Sequence, residues 1–188
     1  MSNPETNDEI RWLSARLREL AGNARQGLPH EIFLTLSSLT PMINVDLLLR
    51  NSQGQTLLTW RDDEFYGPGW HIPGGIIRFK ERIADRIAAV AANELGCTVS
   101  FSEAPLLLRE ITATERDVRG HFISLLYNCS MSTPPDSTIK FSTGMPKNGQ
   151  WMWHDRCPDN LIKVHEAYRP WINNSATENT QGLSFIKS

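Results

Sequence analysis

Cysteine is scarce in this chain: three in 188 residues, Cys97, Cys129 and Cys157, none close to another. With an odd count and no C-x-x-C pair, neither a disulfide framework nor a zinc site is suggested. Long apolar runs are missing too. No stretch approaches the roughly 20 residues that cross a bilayer, and the start, Met1-Ser2-Asn3-Pro4-Glu5, has no signal-peptide pattern. The expectation is a soluble, cytoplasmic protein with no membrane partner. Net charge is nearly absent, 19 basic against 21 acidic side chains. That balance argues against a protein built to coat nucleic acid, although it leaves room for a local patch. No repeat and no second domain is evident. What is present, 40% hydrophobic residues, suffices for one domain with a proper core.

The chain is organised around Trp70-His71-Ile72-Pro73-Gly74-Gly75, a short apolar strand running into two glycines, and the helix-like run after it. Ile83, Ile87, Val90 and Ala91 recur at the spacing that lines one helix face. The run ends at Glu94-Leu95-Gly96, with Gly96 where a helix takes a left-handed stop. Gly74-Gly75 lets the backbone approach whatever this helix presents, since no Cβ stands between.

Residues 7 to 21 read as an amphipathic helix with Ile10, Leu13, Leu17 and Leu20 on one face. A second short helix begins near Pro29 and carries Ile32, Phe33, Leu36 and Leu39. These faces either cap the core or form half of a homodimer interface. Met42 to Leu49 and Gln55 to Arg61 read as strands around the turn Asn51-Ser52-Gln53-Gly54, and hence as a hairpin. Asp46 is the odd residue in its apolar strand; burying it requires hydrogen bonds or a charge partner, Arg50 or another local donor. Further strands are expected at Cys97–Phe101, Leu106–Ile111, His121–Tyr127 and Trp151–His154, with a long loop over 131–150 that carries a short strand near Ile139-Lys140-Phe141. Asp159 to Trp171 reads as a helix interrupted by Pro170. From Asn173 the chain is polar and carries too little apolar surface to require structure.

Gly75, five residues, Glu81, then Glu94-Leu95-Gly96 matches the register of the Nudix signature, G-x5-E-x7-R-E-U-x-E-E-x-G-U with U apolar. The stretch Gly75–Cys97 therefore resembles a degenerate Nudix box: Ala89-Val90 stands where the signature has R-E, and Asn93 where it has the first E of E-E. Positions 90, 93 and 94 lie within one helical arc, so the full motif gathers three carboxylates where this chain keeps Glu94. One carboxylate implies one Mg²⁺ at most.

Within that superfamily the chain is similar to the GDP-mannose mannosyl hydrolases over roughly residues 40 to 170. The likeness runs through Pro41–Asp46 with Leu57–Arg61, Trp70–Gly75, Ala92–Gly96, Gly120-His121-Phe122-Ile123, Trp151-Met152-Trp153 and Val164-His165. It implies a Nudix fold, α/β, with a mixed β-sheet sandwiched between helices. The divisions would be an N-terminal helical extension (1–40), a Nudix domain (41–172) and a polar tail (173–188).

The resemblance further implies Mg²⁺-dependent hydrolysis of a nucleoside diphosphate sugar, with water attacking the anomeric carbon. The Gly74 carbonyl, Glu94 and, with some slippage of its loop, Gln150 would be metal ligands. Asp46 would bind the base, Arg61 would neutralise the diphosphate, and His121 would sit near the leaving phosphate. Glu81 reads as a tie for the box loop rather than a ligand. Two of the family's diphosphate arginines are absent, Ile76 and Ala89 standing in their places, and no histidine is available near Gln150 as general base. Two other readings follow from these departures: a Nudix pyrophosphatase attacking phosphorus in ADP-ribose or a nucleotide, and a catalytically weak nucleotide-sugar-binding module.

Overall fold

The fold is built on β1 (Met42–Leu49), in which every residue from Val45 to Leu49 is buried. The computed structural model describes residues 4–174, so the polar tail falls outside the described residues from 175 on. A central strand covered on both faces reads as a near-continuous apolar run, which is how β1 reads apart from Asp46. Along its whole length β1 pairs in parallel with β7 (His121–Met131), and on its other edge antiparallel with β4 (Gly74–Ile76). With β5 (Val99–Phe101) and β6 (Leu107–Thr112), both antiparallel to β7, this makes a five-stranded mixed sheet. A second, antiparallel sheet has the order β3 (Gly69–His71), β2 (Thr56–Arg61), β8 (Trp151–His154).

The expected hairpin is therefore not one. Its turn forms, with the Asn51 side chain accepting from the N–H groups of Gln53 and Gln55. Pairing stops at a single Arg50–Thr56 bridge, beyond which β1 and β2 join different sheets. Neither strand has the in–out alternation of a half-solvated hairpin, because the stretches that flank the turn, Val45 to Leu49 and Thr56 to Trp60, are buried without a break. Each consequently takes its own ladder and its own cover.

On one face of β1, Val45, Leu47 and Leu49 pack with Ile87, Val90, Ala91 and Leu95 of α3 (Ile83–Leu95). Gly96 closes α3 in the left-handed conformation at φ 63°, its N–H reaching the Ala91 and Ala92 carbonyls. On the other face, Leu48 meets Leu58, Trp60 and the C-terminal segment through Tyr168 and Ile172. That segment is a 3₁₀ stretch, Lys163–Tyr168, followed by α4 (Arg169–Ile172). Helix was expected from Asp159, but Leu161 is bridged to Trp70 in extended form. Pro170 lies in the first turn of α4, where a missing N–H costs nothing, so it opens the helix instead of interrupting one. Near Ile139-Lys140-Phe141 a 3₁₀ turn (Ser137–Ile139) and one Lys140–Trp151 bridge replace the expected strand.

The two N-terminal helices form as α1 (Pro4–Ala21) and α2 (His30–Ser37). α1 does not cap the core: Ile10, Leu13 and Leu20 of its apolar face are half exposed. α2 turns Phe33 toward the body of the protein, against the cavity described next. No helix among the described residues is long and apolar enough to cross a membrane.

Candidate active site

The two glycines place the end of α3 against the β1 edge. Along the β1–β4 pair, Ile77 N–H bonds the Ile43 carbonyl and Leu47 N–H the Pro73 carbonyl. Antiparallel ladders alternate bonded and unbonded pairs, so Gly74, opposite Asp46, turns both its N–H and its C=O away from β1. The N–H helps hold the Glu94 carboxyl down, and Gly74 and Glu94 line one cavity. No side chain fits at position 74: a Cβ would lie 2.3 Å from Asp46 Oδ1 and 2.8 Å from the Val45 carbonyl.

Asp46 is 2% exposed and accepts three hydrogen bonds on Oδ2, from Ser124 Oγ (2.5 Å), Tyr168 OH (2.6 Å) and Asn44 Nδ2 (3.0 Å). Arg50 is not its partner; that guanidinium reaches the Trp171 carbonyl. Burial pushes the Asp46 carboxyl up to about 6 against those donors. Burial likewise raises Glu94 to about 8, with Asp46 adding to the rise and Arg61 and the Gly74 N–H opposing it. Arg61 is the cation that opposes the rise at both enclosed acids. Arg61, at the end of β2, holds Asp63 through Nε (2.5 Å) and lies over the Tyr66 ring at 4.7 Å.

These groups border two adjoining cavities, of about 410 and 450 Å³. Arg61, His71 and Gly74 face both. The first runs over Asp46 and is walled on one side by Phe33, Ile76, Ile111 and Phe122. The second holds Glu94, Asn93, Asn148 and Gln150. Gln150 Oε1 accepts from the Lys147 N–H at 2.8 Å, closing its own loop.

His121 is not brought to either cavity. Its Nε2 pairs with Glu110 Oε1 at 3.0 Å, while Phe122 and Ser124 line the first cavity. Strand alternation is the reason, since 121 and 122 point to opposite faces. His71 and His165, given no site role in the sequence, do border the first cavity. Both are poor bases. Burial holds His71 well below the usual histidine range and His165 down to about 3. Nδ1 of His165 already accepts the Ile72 N–H at 3.1 Å.

Val90 is core, 3% exposed and within 2.9 Å of where a Gly75 Cβ would stand. An apolar side chain fills that place in the box arc. Glu81 is indeed a tie: it takes the Arg78 N–H (2.8 Å) and a forked pair from Arg86 (2.7–2.9 Å). Arg86, three residues before Ala89, was not singled out in the sequence, nor were Ser124 and Tyr168. The latter two lie 78 and 122 residues from Asp46, and no local pattern links such distances.

Among the described residues no cluster of three or more His, Cys, Asp or Glu is placed to hold a metal. The donors near Glu94 are oxygens of mixed kind: its carboxylate, the Gly74 carbonyl and amides of Asn93 and Gln150. That set suits a hard cation that keeps most of its waters and takes one or two carboxylates. A carboxyl raised to about 8 by burial is also a place where a divalent charge offsets desolvation.

No protein-family profile matches the sequence. The chain is 27% identical over 130 residues to the low-salt glycan biosynthesis protein Agl8 of Haloferax volcanii, a match spanning 67% of this chain and 80% of that protein. Among solved structures it is similar to a UDP-X diphosphatase (14% identity, 99% of this chain and 89% of the other, TM-score 0.56). It is also similar to a MutT Nudix hydrolase from Burkholderia pseudomallei (18% identity, 73% and 99%, TM-score 0.52). The mixed sheet between helices is the Nudix fold, as the box spacing implied.

Proposed function

We propose that this chain, built on the Nudix fold, is a Mg²⁺-dependent hydrolase of a nucleoside diphosphate sugar, releasing the nucleoside diphosphate and the free sugar. The observation that carries the reading is the meeting of Glu94, Gly74, Asp46 and Arg61 where two cavities join. A diphosphate needs cationic neutralisation at this junction, and a nucleoside and a sugar need a space each. The glycan biosynthesis relative and the UDP-X diphosphatase likeness support a substrate of this class.

Glu94, the Gly74 carbonyl and Gln150 would hold the cation. When bound it supplies Lewis-acid neutralisation of the diphosphate oxygens. Arg61 stabilises the same negative charge from the other side, and its Nη atoms bond no acceptor among the described residues. Asp46 has one oxygen saturated and keeps Oδ1 to accept an N–H of the substrate. In the reaction, water oxygen bonds the anomeric carbon as the carbon–oxygen bond to the diphosphate breaks. The bonding pair leaves on the diphosphate, the attacking water passes its proton to surrounding water, and the anomer inverts.

A well-placed general base contributes about 10²–10⁴ in rate. His71 and His165 are held neutral with little basicity, so charge neutralisation and orientation carry the chemistry and turnover is slow. Attack at phosphorus is the lesser reading, because that chemistry leans on several carboxylates and the helix arc presents Val90 and Asn93 beside Glu94. Hydrolysis of a nucleotide-sugar panel in ¹⁸O water with Mg²⁺, read by NMR, tests the proposal. Label on an inverted sugar, abolished in Glu94→Gln, is expected. Label on phosphate, or no turnover of any sugar nucleotide, overturns it.

A further inference from the structure

Beside the first cavity three guanidinium groups surround one ring. Arg61 lies 4.7 Å from the centroid of Tyr66, Arg116 4.4 Å and Arg119 5.2 Å. Among the described residues the carboxylate bonded to any of the three is Asp63, on Arg61. Arg116 spends one nitrogen on the Phe65 carbonyl (2.8 Å). Arg119 Nε and Arg116 Nη1 are buried with no hydrogen-bond partner. Leaving such donors unmade inside a protein carries the desolvation penalty of each, and three like charges at this range repel. A folded chain keeps such a group where a ligand completes it.

Arg119 is held in place. Its N–H bonds Ser37 Oγ of α2 at 3.0 Å, and its carbonyl accepts the Tyr66 hydroxyl at 3.0 Å. Its guanidinium also lies over Phe65 (4.7 Å) and Phe33 (5.6 Å), so stacking fixes its plane. The residue adopts φ 53°, a conformation uncommon outside glycine and costly to hold. Burial, with Arg61 and Arg116 adding to it, lowers its affinity for its proton. Arg119 and Arg61 both line the cavity.

We propose that Arg119 and Arg61, with Arg116 behind them on the Tyr66 ring, form the phosphate subsite of this cavity and bind the diphosphate of the substrate. This deepens the proposed function, and rests on it for the diphosphate. The two arginines come from the β6–β7 loop and the end of β2, outside the box, and do the work for which Ile76 and Ala89 have no charge. The N-terminal extension takes part by aligning Arg119 through Ser37 and Phe33.

The test is titration calorimetry of the full chain in EDTA with GDP, inorganic pyrophosphate and guanosine, and with Arg119→Met, Arg119→Lys and Arg116→Met. Wild type is expected to bind GDP and pyrophosphate with affinity that falls as salt rises. Arg119→Met is expected to lose about 10- to 100-fold for both anions and less than twofold for guanosine, if guanosine binds. Arg119→Lys, which keeps the charge without the fork, recovers part of the loss. Thermal melts without ligand establish that each variant is folded. Should Arg119→Met unfold, Arg116→Met, whose side chain stands behind the subsite, is expected to show a smaller loss for the same two anions. Unchanged anion affinity in the folded variants overturns the subsite, whether or not the wild type turns over sugar nucleotides. So does a wild type that binds neither anion. Absence of turnover with anion binding intact overturns the proposed reaction instead.

Discussion

Replacing Glu81 by alanine is expected to cost about 3 kcal/mol of stability. Glu81 and Arg86 form a forked pair with three nitrogen–oxygen contacts of 2.7–2.9 Å. Their side chains are 15% and 8% exposed. Removing one partner of a buried pair costs about 3–5 kcal/mol because the other charge is stranded. The low end applies here, since Glu81 keeps some contact with water. The same truncation frees the Arg78 N–H, bonded to Glu81 Oε2 at 2.8 Å. Arg86→Met strands the carboxylate instead, and Glu81→Ala with Arg86→Met strands neither, so the double variant should recover about 2 kcal/mol relative to the sum. Urea unfolding of the four proteins measures this coupling. Arg82 and Asp85, which lie in the chain between Glu81 and Arg86, serve as an internal control. They form an equally well-shaped fork (2.9 and 3.0 Å), but with side chains 81% and 50% exposed, and should show no measurable coupling. A Glu81–Arg86 coupling below about 0.5 kcal/mol would refute the claim that burial, not geometry, decides the strength of these pairs.

Gly74→Ala should lower stability by about 1–3 kcal/mol, because Asp46 Oδ2 is pinned by three donors and cannot yield to the new methyl; a urea midpoint equal to wild type would contradict the close approach. His165, at about 3 in the folded chain against 6.5 in the unfolded, has a depressed value. Its contribution is therefore whole above pH 6.5 and drains away as pH falls toward 3, about 2 kcal/mol being gone at pH 5. His165→Asn should flatten that part of the urea-measured pH profile, and an unchanged slope would show that the ring is not held neutral. His121→Ala should alter kcat and KM for any substrate found by less than about twofold, since the side chain faces Glu110 outside both cavities; a tenfold loss would place it at the site after all.

Much of the fold was legible because it is written locally. Apolar residues at helical spacing in 83–95, a glycine for the left-handed stop at 96, and largely apolar runs in β1 and β2 each act within a few residues. The box spacing fixes which side chains share a helix face, so Glu94 could be brought to Gly74 on paper. What the sequence could not settle is anything that depends on which strand lies next to which. β1 and β2 share a turn yet join different sheets. His121 turned away from the cavity because its neighbour Phe122 took the inward face. The three donors on Asp46 come from Asn44, Ser124 and Tyr168, and the arginines around Tyr66 from the end of β2 and the β6–β7 loop. Local propensity and period determined the elements, since a helix or a turn is closed by bonds between near neighbours. The sheet ladders and the packing of layers decided the site, since a buried charge takes whatever donor the tertiary fold sets beside it.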